Sequence, residues 1–183
     1  MNPFEAGTRK LIPAVLIYAR FGDEILMVHR NASDRPGDYH AGKWNGLGGK
    51  CEPGESALQA AKREFREESG LDASEQVFRP LGTLHFPNFK ASKCEDWLVF
   101  VFEAELSSLQ RESSVSGPEG ELHWVKISAL MSLNLWEGDR HFIPLVIARE
   151  PFTGTLWYQG QKVIKHEIQT YQGASLSKMT HSK

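Results

Sequence analysis

The chain has 183 residues, a formal net charge of −2 and 40% hydrophobic residues, which suits a single globular domain with its own core. The small net charge argues against a protein that binds a polyanion surface, so nucleic acid is not an expected partner. Since the N-terminus has no signal-peptide core and no apolar run approaches the ~20 residues of a membrane span, we expect a cytoplasmic protein without membrane contact.

The first half of the chain predicts two strands, a loop and a helix. Strands are expected at residues 10–20 and 23–30, with a turn at 20–23. Residues 31–43 are expected to form a loop because Gly, Pro and Asp are frequent there. A helix is expected from about Ser56 to Ser69, since Ser56 and Gln59 can form a capping box and Gly70 stands where a glycine ends a helix.

The second half predicts further strands around a second helix. A strand is expected at residues 97–106 and another at 121–127, separated by a loop at 107–120. A helix at residues 138–150 and a hairpin at 154–168 that turns at Gln159–Gly160 complete the series. Strands on both sides of a helix indicate a mixed α/β domain. We expect residues 1–172 to form one domain and residues 173–183 to be a disordered tail.

The segment REFREESG places Glu64, Glu67 and Glu68 within five positions. On a helix these carboxylates share one stripe and repel each other by roughly 0.2–0.5 kcal/mol per pair. A solvated acidic face is the ordinary explanation of such a run. The glycine-rich residues 44–54 and a further carboxylate, Glu55, directly precede the helix and favour a cation site, because Mg²⁺ takes oxygen ligands and bridges to substrate phosphates.

The spacing of this segment resembles the signature of the Nudix hydrolases at every fixed position. The matching residues are Gly49, Glu55, Arg63, Glu64, Glu67, Glu68 and Gly70, with Phe65 and Leu71 at the apolar places. The resemblance implies the Nudix fold, a mixed β-sheet sandwiched between helices with a loop-helix-loop catalytic motif. It also implies an enzyme that hydrolyses a nucleoside diphosphate linked to another group.

The same resemblance implies roles for the matching residues. Glu64, Glu67 and Glu68 would bind Mg²⁺, which Mn²⁺ can replace. Gly49 is expected beside the metal. A structural pair is expected to hold the loop to the helix, and its members are Glu55 and Arg63.

The identity of the general base is left open by the sequence. Phosphoanhydride hydrolysis needs an in-line water and neutralisation of charge on the phosphate oxygens. The base is expected to be a glutamate of the signature or one on the later loop, where Glu119 and Glu121 are the candidates. Glu119 stands at a distance before Trp124 that resembles the extra metal-linked glutamate of MutT-like members.

The flanks of the signature resemble the MutT-like branch of the family, the 8-oxo-dGTP diphosphatases or oxidised purine nucleoside triphosphatases. The resemblance runs from about residue 11 to residue 168. It implies that the purine is gripped by Asn45, Trp136 and Asp139, while Tyr39 falls where an aromatic lines the pocket. Gly48 and Lys50 are also expected to contact substrate. The alternatives are that Trp136 is a core residue and that Asp139 only caps its helix.

One position departs from the branch. The relatives carry two adjacent aspartates after the tryptophan, whereas this chain has Gly138 in place of the first, so we expect weaker use of oxidised adenine nucleotides. Other Nudix substrates, such as ADP-ribose, nucleotide sugars, dihydroneopterin triphosphate or capped RNA, remain alternatives. A non-catalytic, ligand-sensing Nudix module is a third, although it would have no need of the metal glutamates that this chain retains. The oligomeric state is left open.

Overall fold

The computed structural model of the protein describes residues 1–30, 42–113 and 120–171. The expected tail at residues 173–183 lies outside this range. The strands are β1 (Lys10–Phe21), β2 (Glu24–His29), β3 (Trp44–Asn45), β4 (Phe78–Lys90), β5 (Glu95–Glu105), β6 (Glu121–Lys126), β7 (Phe152–Gln159) and β8 (Lys162–Thr170). The helices are α1 (Ala57–Ser69), α2 (Ser108–Ser113), α3 (Ile127–Leu130) and α4 (Asp139–Ala148), and short 3₁₀ turns lie at Glu75–Val77 and Ala91–Lys93.

The strands form one mixed sheet. Its order is β3-β2-β1-β5-β4-β7-β8, and β6 also pairs with β2. The pairings β1–β5 and β4–β7 are parallel, and the other pairings are antiparallel. Parallel neighbours need a crossover connection, and α1 lies in the chain between β1 and β5.

Residues 44–50 are inserted between β1 and β2. The two strands pair with each other next to the turn that joins them. Farther from the turn, each strand pairs with the inserted segment instead. These pairings are Val28–Asn45, Ile17–Leu47 and Ala14–Lys50. The glycine-rich segment is therefore held on both sides by sheet hydrogen bonds.

The hydrophobic core has two parts, one on each face of the sheet. Side chains alternate between the faces of a strand, and β1 contributes Val15 and Ile17 to one part but Ala14 and Tyr18 to the other. The first part includes Phe65 and its neighbours on α1, and the second includes Phe142, Ile143 and Val146 of α4. The sheet thus lies between helices, which confirms the fold that the resemblance implies.

The helix α1 confirms its predicted bounds. Ser56 is the N-cap, the Gln59 N–H donates to Ser56 Oγ at 3.2 Å, and the Ser56 N–H donates to Gln59 Oε1 at 2.8 Å. At the other end Gly70 adopts a left-handed conformation with φ of 69° and donates its N–H to Arg66 O at 2.9 Å. Both ends are specified by local side chains, which is why the sequence predicts them.

The second helix and the final hairpin also confirm their predictions. The helix α4 spans Asp139–Ala148, and its N-cap is Gly138, so Asp139 is the first helical residue rather than the cap. Strands β7 and β8 turn at Gly160, whose φ is 63°. In the part of the chain that the structure describes, no helix is long and apolar enough to cross a bilayer.

Strand β4 was not predicted from the sequence. It contains Pro80, Gly82 and Pro87, which ordinarily mark breaks in a strand. Register shifts in its pairing with β5 lie between Pro80 and Gly82 and between Phe86 and Lys90. The strand therefore accommodates these residues at irregularities, as bulges commonly do.

Helix α2 corrects the prediction of a continuous loop at residues 107–120. The Ser107 N–H donates to Gln110 Oε1 at 3.0 Å, and the Gln110 N–H donates to Ser107 Oγ at 3.4 Å. These are the reciprocal bonds of a capping box. The sequence S-x-x-Q carried this signal, but the high serine content favoured a loop.

Candidate active site

A cavity of about 640 Å³ opens beside the inserted segment, and we call it the central cavity. It brings together most of the residues that the sequence singles out. Those that line it are Asn45, Gly48, Gly49, Lys50, Arg63, Glu64, Glu68, Trp136 and Asp139. Two other candidates, Tyr39 and Glu119, lie outside the described residues.

Gly48 brings the inserted segment into close contact with β1. Its φ is 143°, and a Cβ atom there would lie 2.1 Å from the carbonyl oxygen of Val15. Only glycine fits such an approach without displacing the backbone. The Gly48 N–H donates to Glu68 Oε2 at 2.7 Å, and Glu68 is only 5% exposed. The buried Glu68 carboxylate is therefore held against the glycine-rich segment by a hydrogen bond.

Gly49 leaves room for the carboxylate of Glu64. A Cβ atom at this position would lie 2.4 Å from Glu64 Oε1. The Gly49 carbonyl accepts from the Val15 N–H at 2.8 Å, and a carbonyl oxygen has a second lone pair for another partner. Gly49 and Glu64 both line the cavity, and carbonyl and carboxylate oxygens are the hard donors that suit a cation such as Mg²⁺.

Arg63 connects the glycine-rich segment to α1. Its Nε and Nη2 donate to the two carboxylate oxygens of Glu55 at 2.8 and 3.0 Å, and Nη2 also donates to Lys50 O at 2.9 Å. Its Nη1 donates to Glu64 at 2.8 Å and to Glu67 at 3.1 Å. The hydrogen bonds from Arg63, followed by that from the Glu52 backbone, lower the pKa of the Glu55 carboxyl to about 2.

The three signature glutamates have different surroundings. Glu64 lines the cavity, Glu68 is buried, and the Glu67 side chain is 57% exposed and does not line it. Arg63 contacts both Glu64 and Glu67, so one guanidinium offsets part of the repulsion along the stripe. Within residues 1–30, 42–113 and 120–171, three His, Cys, Asp or Glu side chains have ligand atoms within 4.8 Å of one another on strands β2 and β6, not at the signature. The ligand atoms of Glu64, Glu67 and Glu68 do not form such a group.

Asp139 lines the cavity together with Trp136. Burial, which disfavours the charged form, raises the pKa of the Asp139 carboxyl to about 7, against the opposing effects of Lys43, a backbone hydrogen bond with Trp136 and Arg140. Trp136 is buried but borders the cavity, and Lys43 Nζ lies 5.2 Å from the centre of its ring. Near neutral pH the Asp139 carboxyl is thus present both as a hydrogen-bond acceptor and as a donor.

Tyr158 occupies the space beside Gly138. The Gly138 N–H donates to Tyr158 Oη at 3.0 Å, and a Cβ atom on residue 138 would lie 2.0 Å from that oxygen. The hydroxyl of a cavity-lining tyrosine therefore lies where a side chain at position 138 would begin. Tyr158 has no local signal in the sequence, because only the fold brings β7 next to the start of α4.

Aromatic and basic residues of β4 and β5 complete the cavity wall. Phe86, Phe89 and Trp97 line it, and Lys50 Nζ and Lys90 Nζ lie 5.4 and 4.9 Å from the centre of the Trp97 ring. Burial, and then the neighbouring Lys50, lower the pKa of Lys90. Most of this wall was missed from sequence because β4 was not predicted.

The alternative loop base, Glu121, lies elsewhere. It is on β6, it is not among the residues that line the central cavity, and its Oε2 is 3.4 Å from Nε2 of His123. The structure therefore brings Glu121 to a histidine rather than to the signature glutamates.

Comparisons with known proteins agree with this geometry. Residues 10–146 match the family model of the NUDIX domain. The chain is 33% identical over 132 residues to the oxidized purine nucleoside triphosphate hydrolase of Danio rerio, with 71% of this chain and 80% of that protein covered. It is 32% identical over 127 residues to the protein of that name from Mus musculus, with 69% and 76% covered.

Solved structures show the same fold. A MutT protein from Bacillus halodurans matches with a TM-score of 0.69 and 22% identity, over 86% of this chain and 97% of that one. The chain belongs to the Nudix hydrolase family, whose members act on phosphoanhydride bonds of nucleotides and use divalent cations.

The contacts of Arg63 predict a specific loss of stability. The side chains of Arg63 and Glu55 are 23% and 19% exposed, so removal of one partner leaves a half-buried charge. We expect Arg63→Ala to lower the melting temperature by at least ~5 °C. Arg66→Ala is the matched control, because Arg66 is 71% exposed and its pair with Asp72 lies in solvent. Thermal unfolding of both variants measures the difference, and equal shifts would contradict the structural pair.

Asp139 predicts a pH-dependent effect on stability. Below about pH 4 the carboxyl is protonated in both the folded and unfolded states. Between about pH 4 and about pH 7, the pKa of Asp139 in the folded protein, the carboxyl ionises only in the unfolded chain. The free energy of unfolding therefore falls as the pH rises through this range and is constant above it. Asp139→Asn should therefore melt above the parent at about pH 8 and level with it near about pH 4. Melting curves of both proteins across this pH range test the prediction. A difference in melting temperature that does not change with pH would refute the raised pKa.

Proposed function

We propose that the protein is a Mg²⁺-dependent pyrophosphohydrolase of oxidised purine nucleoside triphosphates such as 8-oxo-dGTP, which it cleaves to the monophosphate and pyrophosphate. The observation that carries the proposal is the set of residues that line the central cavity. Glu64 and Glu68 of the signature line the same cavity as Asn45, Trp136 and Asp139. A single ligand can thus contact carboxylates through its phosphates and polar or aromatic groups through its base.

The phosphate chemistry is assigned to the signature residues. Glu64, Glu67 and Glu68 would hold Mg²⁺, with the Gly49 carbonyl beside them. When bound, the cation lowers the pKa of its water and neutralises phosphate charge. Lys50 and Lys90 carry positive charge into the same cavity, which favours the polyphosphate. The base that takes the proton from the attacking water is assigned to a signature glutamate or to Glu119.

Base recognition is assigned to Asn45, Asp139 and Trp136, and Tyr39 is proposed as a further aromatic contact. An amide side chain both donates and accepts hydrogen bonds, as a purine edge requires. Trp136 offers a flat face for stacking. Support for an oxidised purine comes from the relatives in zebrafish and mouse, which are named oxidized purine nucleoside triphosphate hydrolases.

The contact between Gly138 and Tyr158 refines the proposed specificity. Members of the branch that carry two adjacent aspartates have a carboxylate at position 138, whereas this chain holds the neutral Tyr158 hydroxyl there. A single carboxylate, Asp139, remains to read the base. The site thus has one hydrogen-bonding side chain fewer for the base, and we assign to it a preference for 8-oxoguanine over oxidised adenine.

The metal assignment predicts a loss of turnover. Glu67 is exposed, so Glu67→Gln should keep the fold and reduce kcat by at least ~10²-fold, the lower end for loss of a charge-stabilising or acid–base group. Glu68→Gln should have a similar effect. The measurement is pyrophosphate release in Mg²⁺, in Mn²⁺ and in EDTA, with the exposed Glu75→Gln as control. Full activity in EDTA, or near-normal turnover of the Glu67 variant, would refute the assignment.

The base assignment predicts a selective loss of discrimination. A site built to hydrogen-bond a substrate group rejects analogues that lack it by as much as ~10⁴-fold. Asp139→Ala should therefore reduce kcat/KM for 8-oxo-dGTP much more than for dGTP. The panel is 8-oxo-dGTP, dGTP, an oxidised dATP and ADP-ribose, with products identified. A parent that prefers ADP-ribose, or a variant that loses all triphosphates equally, would exclude this base assignment while leaving the Nudix chemistry intact.

Gly138 and Tyr158, which are in contact, provide a second test of the base assignment. Gly138→Asp alone should impair binding, because its Cβ atom meets the Tyr158 hydroxyl. Adding Tyr158→Phe removes that oxygen but leaves the ring carbon Cζ at 2.9 Å and Leu156 Cδ2 at 3.0 Å, so the double variant should recover part of the binding and use the oxidised dATP better than the single variant does. Recovery beyond the sum of the single effects is the expected coupling of contacting residues. Additive effects would show that the two positions act independently.

A further inference from the structure

Three potential metal ligands meet on strands β2 and β6, away from the central cavity. They are His29, Glu121 and His123, and one ligand atom from each lies within 4.8 Å of the others. In the antiparallel register His29 faces Glu121, and His123 follows two residues later on β6. Residues two apart on a strand share a face, so the pairing of two strands places all three side chains on one side of the sheet.

The separation of these atoms suits a borderline transition metal. Tetrahedral Zn²⁺ binds nitrogen and oxygen at about 2.0–2.2 Å, so its ligand atoms lie about 3.4 Å apart. His123 Nε2 and Glu121 Oε2 are 3.4 Å apart. The other two pairings, which both involve His29, need at most a side-chain rotation, since all the atoms lie within 4.8 Å. Two imidazoles and one carboxylate are a common zinc ligand set, and they leave a fourth position for water.

Aromatic packing restrains the imidazoles. Trp44 pairs with His29 across β2 and β3, and the two rings stack with their centres 4.5 Å apart and their planes at 24°. The Trp44 ring centre also lies 5.2 Å from that of His123. Side chains that are held before a ligand arrives lose less conformational entropy on binding.

We propose that His29, Glu121 and His123 form a second cation site that selects Zn²⁺ or a similar borderline metal over Mg²⁺. Imidazole nitrogens suit such metals, whereas Mg²⁺ prefers an all-oxygen set. A bound ion would join β2 to β6. The adjacent residues Val28 and Arg30 line the central cavity, so the ion would brace the strand that carries part of the cavity wall without entering the cavity itself.

The test is titration of the full chain with Zn²⁺ in a large excess of Mg²⁺, which occupies the hard oxygen ligands of the signature. Calorimetry should show one Zn²⁺ per chain, and Zn²⁺ should raise the melting temperature, as a ligand specific to the folded state does. His123→Ala and Glu121→Gln should each weaken Zn²⁺ binding by more than the roughly 10–100-fold that loss of an outer-shell partner costs.

Two control variants separate this site from other sources of zinc binding. His141 and His166 stack at 3.9 Å but are not part of a three-ligand group in the described ranges, so His166→Ala should leave Zn²⁺ binding unchanged. Glu67→Gln should also retain it. Equal losses in the His123 and His166 variants, loss of the ion in the Glu67 variant, or no Zn²⁺ binding in excess Mg²⁺ would each overturn the proposal.

Discussion

The insertion of residues 44–50 between β1 and β2 is the constraint on which the candidate site depends. Sheet pairing holds this segment on both sides, and Gly48 approaches the Val15 carbonyl more closely than any residue with a Cβ atom allows. Asn45 lies in this segment, and the Gly48 N–H holds Glu68. The distance between the proposed base contact and the signature carboxylates is therefore set by backbone pairing rather than by flexible side chains.

Arg63 resolves the electrostatic conflict of the acidic stripe. The charges of Glu64 and Glu67 share its guanidinium, while the same group holds Glu55 and the Lys50 carbonyl. One side chain thus connects the loop, the helix entrance and two of the proposed metal ligands. Bidentate arginine–carboxylate geometry is directional, so this contact positions the ligands as well as offsetting their charge.

The two proposed cation sites lie at different places in the fold. The signature offers carboxylate and carbonyl oxygens beside the cavity, whereas His29, Glu121 and His123 offer two nitrogens and one oxygen on the strand pair β2–β6. Hard and borderline metals prefer these different donor sets. In the central cavity, the Tyr158 hydroxyl accepts from the Gly138 N–H next to Asp139, a carboxyl whose pKa is raised to about 7 by burial.

The sequence by itself determined the elements whose signals are local. The capping box and the final glycine mark the two ends of α1. The spacing of the signature places its glutamates on this helix, where residues three and four apart are neighbours. Asn45, Trp136 and Asp139 were predicted only through the family resemblance, and the structure places all three in one cavity.

Tertiary structure alone decided which distant strands became neighbours. Periodicity predicts which face of a strand is apolar but not which strand lies beside it, so the contact of Tyr158 with Gly138 and the meeting of His29 with His123 have no local signal. The bulged strand β4 was missed because Pro80 and Gly82 argue locally against a strand, and its long-range pairing with β5 overrides that preference.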